Sequence, residues 1–231
     1  MSIKLRASYR AAPDDTKSQI KAAAQPPFAG HGVDAVTVKQ IVAAAGRGNN
    51  AALHYHFGSK EELIRQLVVD GAAVLDERRQ GMLRELEARG GPSTIREVLL
   101  VLVMPVIELG DDERRRGYIS FTSSLQASDR KKLRAALNNR WNAGYVACFT
   151  HLKRMLPLPA ALVEQRLSIF SICAKAILSA REAAQETPRT RSYRLWDQRF
   201  TTEKILDTLE ATNTCPPSAP TLAILQADGA R

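Results

Sequence analysis

The stretch VTVKQIVAAAGRGNNAALHYHFGSKEEL, residues 36–63, decides the reading of this chain. Thr37 followed three residues later by Gln40 has the form of a capping box: the hydroxyl accepts from the backbone N–H three positions on, and the glutamine side chain reaches back to the cap. Val36 and Ile41 flank it at the spacing of a hydrophobic staple. A helix therefore starts at Thr37. Val38, Ile41, Val42 and Ala45 follow at i, i+3, i+4 and i+7, one narrow apolar face, and Gly46 ends it. Gly46-Arg47-Gly48-Asn49 make a turn, after which Asn49 or Asn50 is placed to cap a second short helix that runs to His56 or Phe57. Leu53 and Phe57, four apart, pack inward, which leaves Asn50, Ala51, His54 and Tyr55 on the opposite face.

Two short helices about a turn, with that outward face, suit DNA. Asparagine pairs bidentately with adenine, alanine approaches a thymine methyl, and histidine and tyrosine reach base edges or phosphate oxygens. Ser59 and Glu62 then form a second capping box, which starts another helix with Lys60 in its first turn, where backbone N–H groups and a cation together hold a phosphate. Val36-Thr37-Val38 with Ile41, Ala44-Ala45-Gly46, and Leu53-His54-Tyr55-His56-Phe57-Gly58-Ser59-Lys60-Glu61-Glu62-Leu63 resemble the DNA-binding domain of the TetR family of transcriptional regulators. The resemblance covers residues 16–63; beyond them it extends only to length and helical layout. It implies that Thr37, His56 and Lys60 sit at phosphate-contacting positions, that Asn49 to Tyr55 form the recognition helix, and that the last two long helices make a four-helix dimer interface. Lys39 and Arg47 complete the DNA-binding set. The turn after Gly46 is one residue longer than in most members of that family. Gln25-Pro26-Pro27-Phe28 falls where its first helix is still running, and an interior proline costs on the order of 3 kcal/mol, so this helix is expected to stop or kink near Ala24.

The first 60 residues hold eight basic side chains (Lys4, Arg6, Arg10, Lys17, Lys21, Lys39, Arg47, Lys60) against three acids (Asp14, Asp15, Asp34), which concentrates there the positive charge of a chain whose net charge is +9. An acidic partner such as nucleic acid follows from this imbalance, and the arm Lys4, Arg6 and Arg10 could track phosphates or a minor groove. From residue 64 onward the pattern is helical. Gly90-Gly91-Pro92 breaks it, and helix resumes near Ser93. A short apolar helix spans Tyr118 to Leu125, and a long one is expected from Asp129 to Leu156, ending before Pro157 and Pro159. Leu167 to Leu178 is apolar nearly all round, which implies burial against more than its own domain. Residues 186–198 read as a connecting loop, Phe200 to Thr212 as a last amphipathic helix, and the proline-bearing residues 213–231 as a flexible tail.

The fold class is all-α, with no alternating strand pattern: a helix-turn-helix domain over residues 1–63 and a larger ligand-binding and dimerisation domain over 64–212. Leu162, Arg166, Ile169, Cys173, Ala176 and Ile177, joined by Phe200, Ile205, Leu206 and Leu209, are the expected dimer interface. Met104, Phe121, Trp141 and Phe170 are candidate liners of a mostly apolar pocket for an unidentified small-molecule effector. The function expected is that of a sequence-specific regulator, a homodimeric repressor released by ligand from a palindromic double-stranded DNA operator. The alternative is a small-molecule-binding or protein-interaction module whose DNA binding is impaired by Pro26 and Pro27.

Other chemistries fit poorly. Gly46-Arg47-Gly48-Asn49-Asn50-Ala51 matches a dinucleotide-binding loop in spacing, but the βαβ alternation that such a loop needs is missing. His54 and His56, two apart, point to different sides of a helix, so no metal site is expected. No nucleophile constellation of a hydrolase is present, and the chain is read as a non-enzyme without a cofactor. Three cysteines (Cys148, Cys173, Cys215) far apart suggest no disulfide framework, and the N-terminal stretch has no apolar core of a signal peptide. The longest apolar run, Val98 to Ile107, is half a membrane span. A cytoplasmic protein without membrane association is the expectation.

Overall fold

The computed structural model describes residues 16–46, 50–112 and 115–229, and among them it contains helices and no strand. The order is α1 (Thr16–His31), α2 (Val38–Ala44), α3 (Ala51–Phe57), α4 (Lys60–Glu87), α5 (Ile95–Asp111), α6 (Tyr118–Ser128), α7 (Arg130–Leu137), α8 (Ala143–Met155), α9 (Ala160–Gln185), α10 (Arg191–Trp196), α11 (Thr201–Thr214) and α12 (Ala219–Gly229). The first three helices form the small domain around Ile20, Ala24, Phe28, Ile41, Leu53 and Phe57. The long α4 begins in that domain with Leu63 and Ile64, and then runs out to pack on α5, α7 and α8. Helix α6 lies between α1 and α9, so it touches both the small domain and the large one. No described helix is long and apolar enough to cross a membrane.

Helix α1 does not stop at Ala24. It continues through Pro26 and Pro27 to His31. The proline φ is itself helical; what is lost is the N–H bonds to the carbonyls of Ala22 and Ala23. Tertiary contacts on both sides of the prolines offset that loss. Gln25, buried, donates from Nε2 to the carbonyl oxygens of Arg115 (2.6 Å) and Arg116 (2.9 Å) ahead of α6. Phe28 stacks on Phe121 of α6, and the Gly32 N–H closes the helix end on the Phe28 carbonyl at 3.1 Å. The helix therefore docks on α6 in spite of both prolines.

Three other expectations are corrected. The stretch 129–156 is two helices, because Asn138 (φ 44°), Asn139 (φ 54°) and Trp141 (φ 61°) adopt left-handed backbone, which asparagine tolerates better than most residues and which ends α7. The connecting segment contains the six-residue α10, opened by the Thr190 hydroxyl accepting from the Tyr193 N–H. Beyond residue 213 the chain is helical over much of its length: α11 runs to Thr214, and α12 starts where Ser218 accepts from Thr221 and Pro220 occupies a first-turn position that needs no N–H partner.

Candidate nucleic-acid interface and candidate effector cavity

Both halves of the Thr37 capping box form: Thr37 Oγ1 accepts from the Gln40 N–H (3.3 Å), and Gln40 Oε1 accepts from the Thr37 N–H (2.8 Å). Ile41 and Val42 bury the inner face of α2, and Gly46 (φ 68°) turns the chain in a conformation that a side chain would strain. In α3, Leu53 and Phe57 are buried while Asn50, Ala51, His54 and Tyr55 are exposed, Tyr55 at 85%. Asn50 occupies the N-cap position of α3 but makes no capping bond, so its amide is not spent on its own helix. His54 is half committed, with Nδ1 3.0 Å from the Gly58 carbonyl at the helix end. His56 is half-buried, its ring edge-on to Tyr55 with centroids 5.0 Å apart.

Thr37 and Lys39 are exposed at the start of α2. Lys60, at the first turn of α4, sits over the Phe28 ring at 6.0 Å. Ser59 caps α4 by accepting from the Glu62 N–H (3.1 Å), but the second box is only half made. The Glu62 carboxylate turns instead to Arg65 and Gln66, and hydrogen bonds from them hold it at about 2, well below the usual carboxylate range. Arg47 and Asn49, like the arm Lys4, Arg6 and Arg10, lie outside the described residues.

The large domain encloses a cavity of about 350 Å³ between α4, α5, α6, α7, α8 and α9. Val68, Ala72, Leu75, Leu102, Val103 and Val106 form its apolar wall. Of the four candidate liners named from sequence, Trp141 and Phe170 are on its wall. Met104 and Phe121 do not: both fall outside the lining, and Phe121, fully buried, spends its ring on Phe28 instead. The polar liners not expected from sequence include Arg79, Tyr118, Tyr145 and Lys175. A signal for two of them was present. Val68, Ala72, Leu75 and Arg79 recur at i, i+4, i+7 and i+11, which puts a guanidinium in line with an apolar stripe. Lys175 is the one charge in the run Leu167 to Leu178.

The expected interface residues divide. Ile205, Leu206 and Leu209 are buried in the protomer's own core and have no surface to offer a partner. The cause is α11's other stripe: Glu203, Asp207 and Glu210 all bind the Arg96 guanidinium of α5 (2.6, 3.1 and 2.9 Å), which fixes the rotation of the helix. Arg166 is also used within the protomer, donating to the carbonyls of Thr212, Asn213 and Cys215 at the end of α11. Leu162 is half-buried, and Cys173 and Ile177 pack partly against the core. Ile169, Ala176 and Phe200 (59% exposed) face outward, together with Ile172 (66%), which the sequence reading did not single out.

Residues 20–67 match the family model described as bacterial regulatory proteins, tetR family. The small domain is thus similar to that family over these residues. Among solved structures, Salmonella enterica GusR is 20% identical, with a TM-score of 0.52, covering 89% of this chain and 99% of its own. The TetR-family regulator PfmR from Thermus thermophilus is 15% identical, with a TM-score of 0.49, covering 84% and 96%. No curated protein matches the chain. The TetR-like fold, a helix-turn-helix domain followed by a larger helical domain, is thus the fold of the described chain.

Proposed function

We propose that this protein is a non-enzymatic, homodimeric transcriptional repressor that binds a roughly palindromic operator and leaves it when a small molecule occupies the cavity of the large domain. The observation that carries the reading is the outward face of α3: Asn50, Ala51, His54 and Tyr55 exposed over a buried Leu53 and Phe57, within a domain similar to the TetR family. Such a helix enters a major groove by its N-terminal residues, and two of them across a two-fold axis read half-sites about a helical turn or more apart. Thr37, Lys39, His56 and Lys60 would position the domain on phosphates, while Asn50 and its neighbours choose the bases. The exposed Ile169, Ile172, Ala176 and Phe200 support pairing of α9 and the adjoining segment with a second copy.

Ligand release has a route through α6. Tyr118 and Ile119 line the cavity; three positions on from Tyr118, Phe121 stacks on Phe28 of α1, and the Arg115 and Arg116 carbonyls just before α6 hold Gln25. An effector that favours one position of α6 therefore acts on the seat of α1, and by linkage DNA opposes that effector. Selection of bound sequences from random duplexes, followed by mobility shift at rising salt, tests the reading. The expected result is an enriched palindrome whose binding weakens steeply with salt. No enrichment, or a flat salt response, would overturn it.

A further inference from the structure

Two cations, one inside the cavity of the large domain and one at its rim, have no counter-ion among the lining residues. Arg79 reaches in from α4, and its position is tightly held. A Cβ placed on Gly144 of α8 would stand 2.6 Å from the Arg79 Cβ, so the glycine lets the two helices close on the arginine stem. The guanidinium lies over the Tyr145 ring at 5.7 Å and donates once, from Nη2 to the Leu102 carbonyl at 3.1 Å. Its Nε is buried and has no hydrogen-bond partner among the described residues. Asp76 acts on it through its charge but makes no hydrogen bond to it. One carboxylate oxygen accepts from the Gly144 N–H and the other from Gln80 Nε2, both at 2.8 Å. Lys175 from α9, exposed at the rim, binds the neutral Gln126 amide. No aspartate or glutamate is among the described cavity-lining residues.

A guanidinium stays charged in any protein environment, and a buried charge is costly unless paired. Burial pushes Arg79 below its ordinary value, which registers the same deficit. The planar N–H fork of arginine matches a carboxylate better than any neutral group. A cavity of about 350 Å³ falls in the lower part of the range of small-molecule sites and has room for a single ring or a medium chain.

We infer that the effector is a small amphipathic carboxylic acid, its apolar body against Val68, Leu75, Val103 and Phe170 and its carboxylate on Arg79, with Lys175 at the mouth as a second cation. This rests on the reading of the cavity as the effector site. It also names a residue, Arg79, that discriminates acids from neutral and cationic molecules of the same shape.

Titration calorimetry on the full-length protein tests the inference with benzoate, phenylacetate, 4-phenylbutyrate and octanoate, each beside its primary amide and the matching amine. At least one acid should bind ten-fold or more tightly than its amide and its amine. In Arg79→Gln the acid-to-amide ratio should collapse toward one, and in Lys175→Gln it should fall several-fold with the circular dichroism spectrum unchanged. Because Lys175 is exposed, the second variant keeps the test alive where the first fails to fold. Equal binding of acid and amide, preferred binding of the amine by the aromatic lining, a ratio that survives both substitutions, or no binding of any acid would each overturn the inference. The operator assay separates the two readings. An acid that binds through Arg79 and leaves the DNA complex intact upholds the anion site and sinks ligand release, whereas operator binding with no acid preference does the reverse.

Discussion

The rings of Phe28 and Phe121 stack with centroids 5.9 Å apart and an interplanar angle of 25°, both residues fully buried. One belongs to the first helix of the small domain and the other to a helix that borders the cavity, so this aromatic pair, beside the Gln25 hydrogen bonds, ties the two together. Phe121→Ala leaves a void that neither α1 nor α6 can close alone. It should destabilise the protein by about 3–5 kcal/mol, read as a lower urea midpoint, with Phe121→Leu costing clearly less.

The exposed face of α3 makes the opposite prediction. Tyr55→Ala and Asn50→Ala should each weaken operator binding by about 1–3 kcal/mol, while unfolding stability moves by no more than about 0.5 kcal/mol, as for other surface changes. Lys39→Gln should weaken binding to every sequence alike and reduce the slope of log K against log salt by about 1. Competition titrations with specific and random duplexes separate the two kinds of loss.

The small domain was legible because its signals are local: Thr37 and Gln40 are three apart, Leu53 and Phe57 four apart, and each pair meets within one helix. The large domain was legible only as helices. Which face of α11 turns inward depends on Arg96, more than 100 positions away in sequence, and a helix carrying Ile205, Leu206 and Leu209 looks the same whether it covers a core or a partner. The same holds for Phe121, whose partner Phe28 lies beyond two prolines that read as a helix end. The break at Asn138-Asn139 did carry a local signal, an asparagine pair suited to left-handed backbone, but the surrounding periodicity outweighed it.

Gly71 of α4 faces the ring of Tyr118 so closely that an added Cβ would fall 2.2–2.5 Å from three ring atoms. The tyrosine hydroxyl, buried, donates to the Val68 carbonyl at 2.8 Å. Gly71→Ala must therefore push the ring out of its seat and break that bond, at about 1–3 kcal/mol. Because ring and methyl compete for one volume, Gly71→Ala combined with Tyr118→Leu should be less destabilised than the sum of the single changes. A double-mutant cycle by urea unfolding measures the difference.

Glu182 of α9 is buried and accepts from the Ile119 and Ser120 N–H groups, capping a helix whose own N-cap residue, Gly117, has no side chain to do so. Burial raises its carboxyl above the ordinary glutamate value, against the lowering effect of those N–H groups. A folded-state value above the unfolded one means that the folded state holds the proton more tightly, so stability falls as pH rises through the shifted value. Glu182→Gln removes this titration. The advantage of the native protein over the variant should thus be greatest below the ordinary glutamate value and shrink as pH rises past the raised one, which paired urea melts at acidic and neutral pH will show.

Pro26 lies on the exposed side of α1, between the buried Gln25 and Phe28 that anchor the helix to α6. Its ring makes no part of the core, yet it removes the N–H that would bind the Ala22 carbonyl and crowds that carbonyl as well. Against this stands a smaller gain, because proline restricts the unfolded chain by about 0.4–1 kcal/mol. With both anchors kept, Pro26→Ala should raise unfolding stability by about 2–2.6 kcal/mol, the balance of a helix-interior cost near 3 kcal/mol and that gain. Operator affinity should not fall, since Gln25 and Phe28 still fix α1 beneath the recognition unit. A loss of stability in Pro26→Ala would mean that the backbone conformation fixed by this proline is what delivers Phe28 to Phe121. In that case Pro26→Ala should mimic Phe121→Ala in its urea midpoint, a comparison that decides between a tolerated proline and a required one.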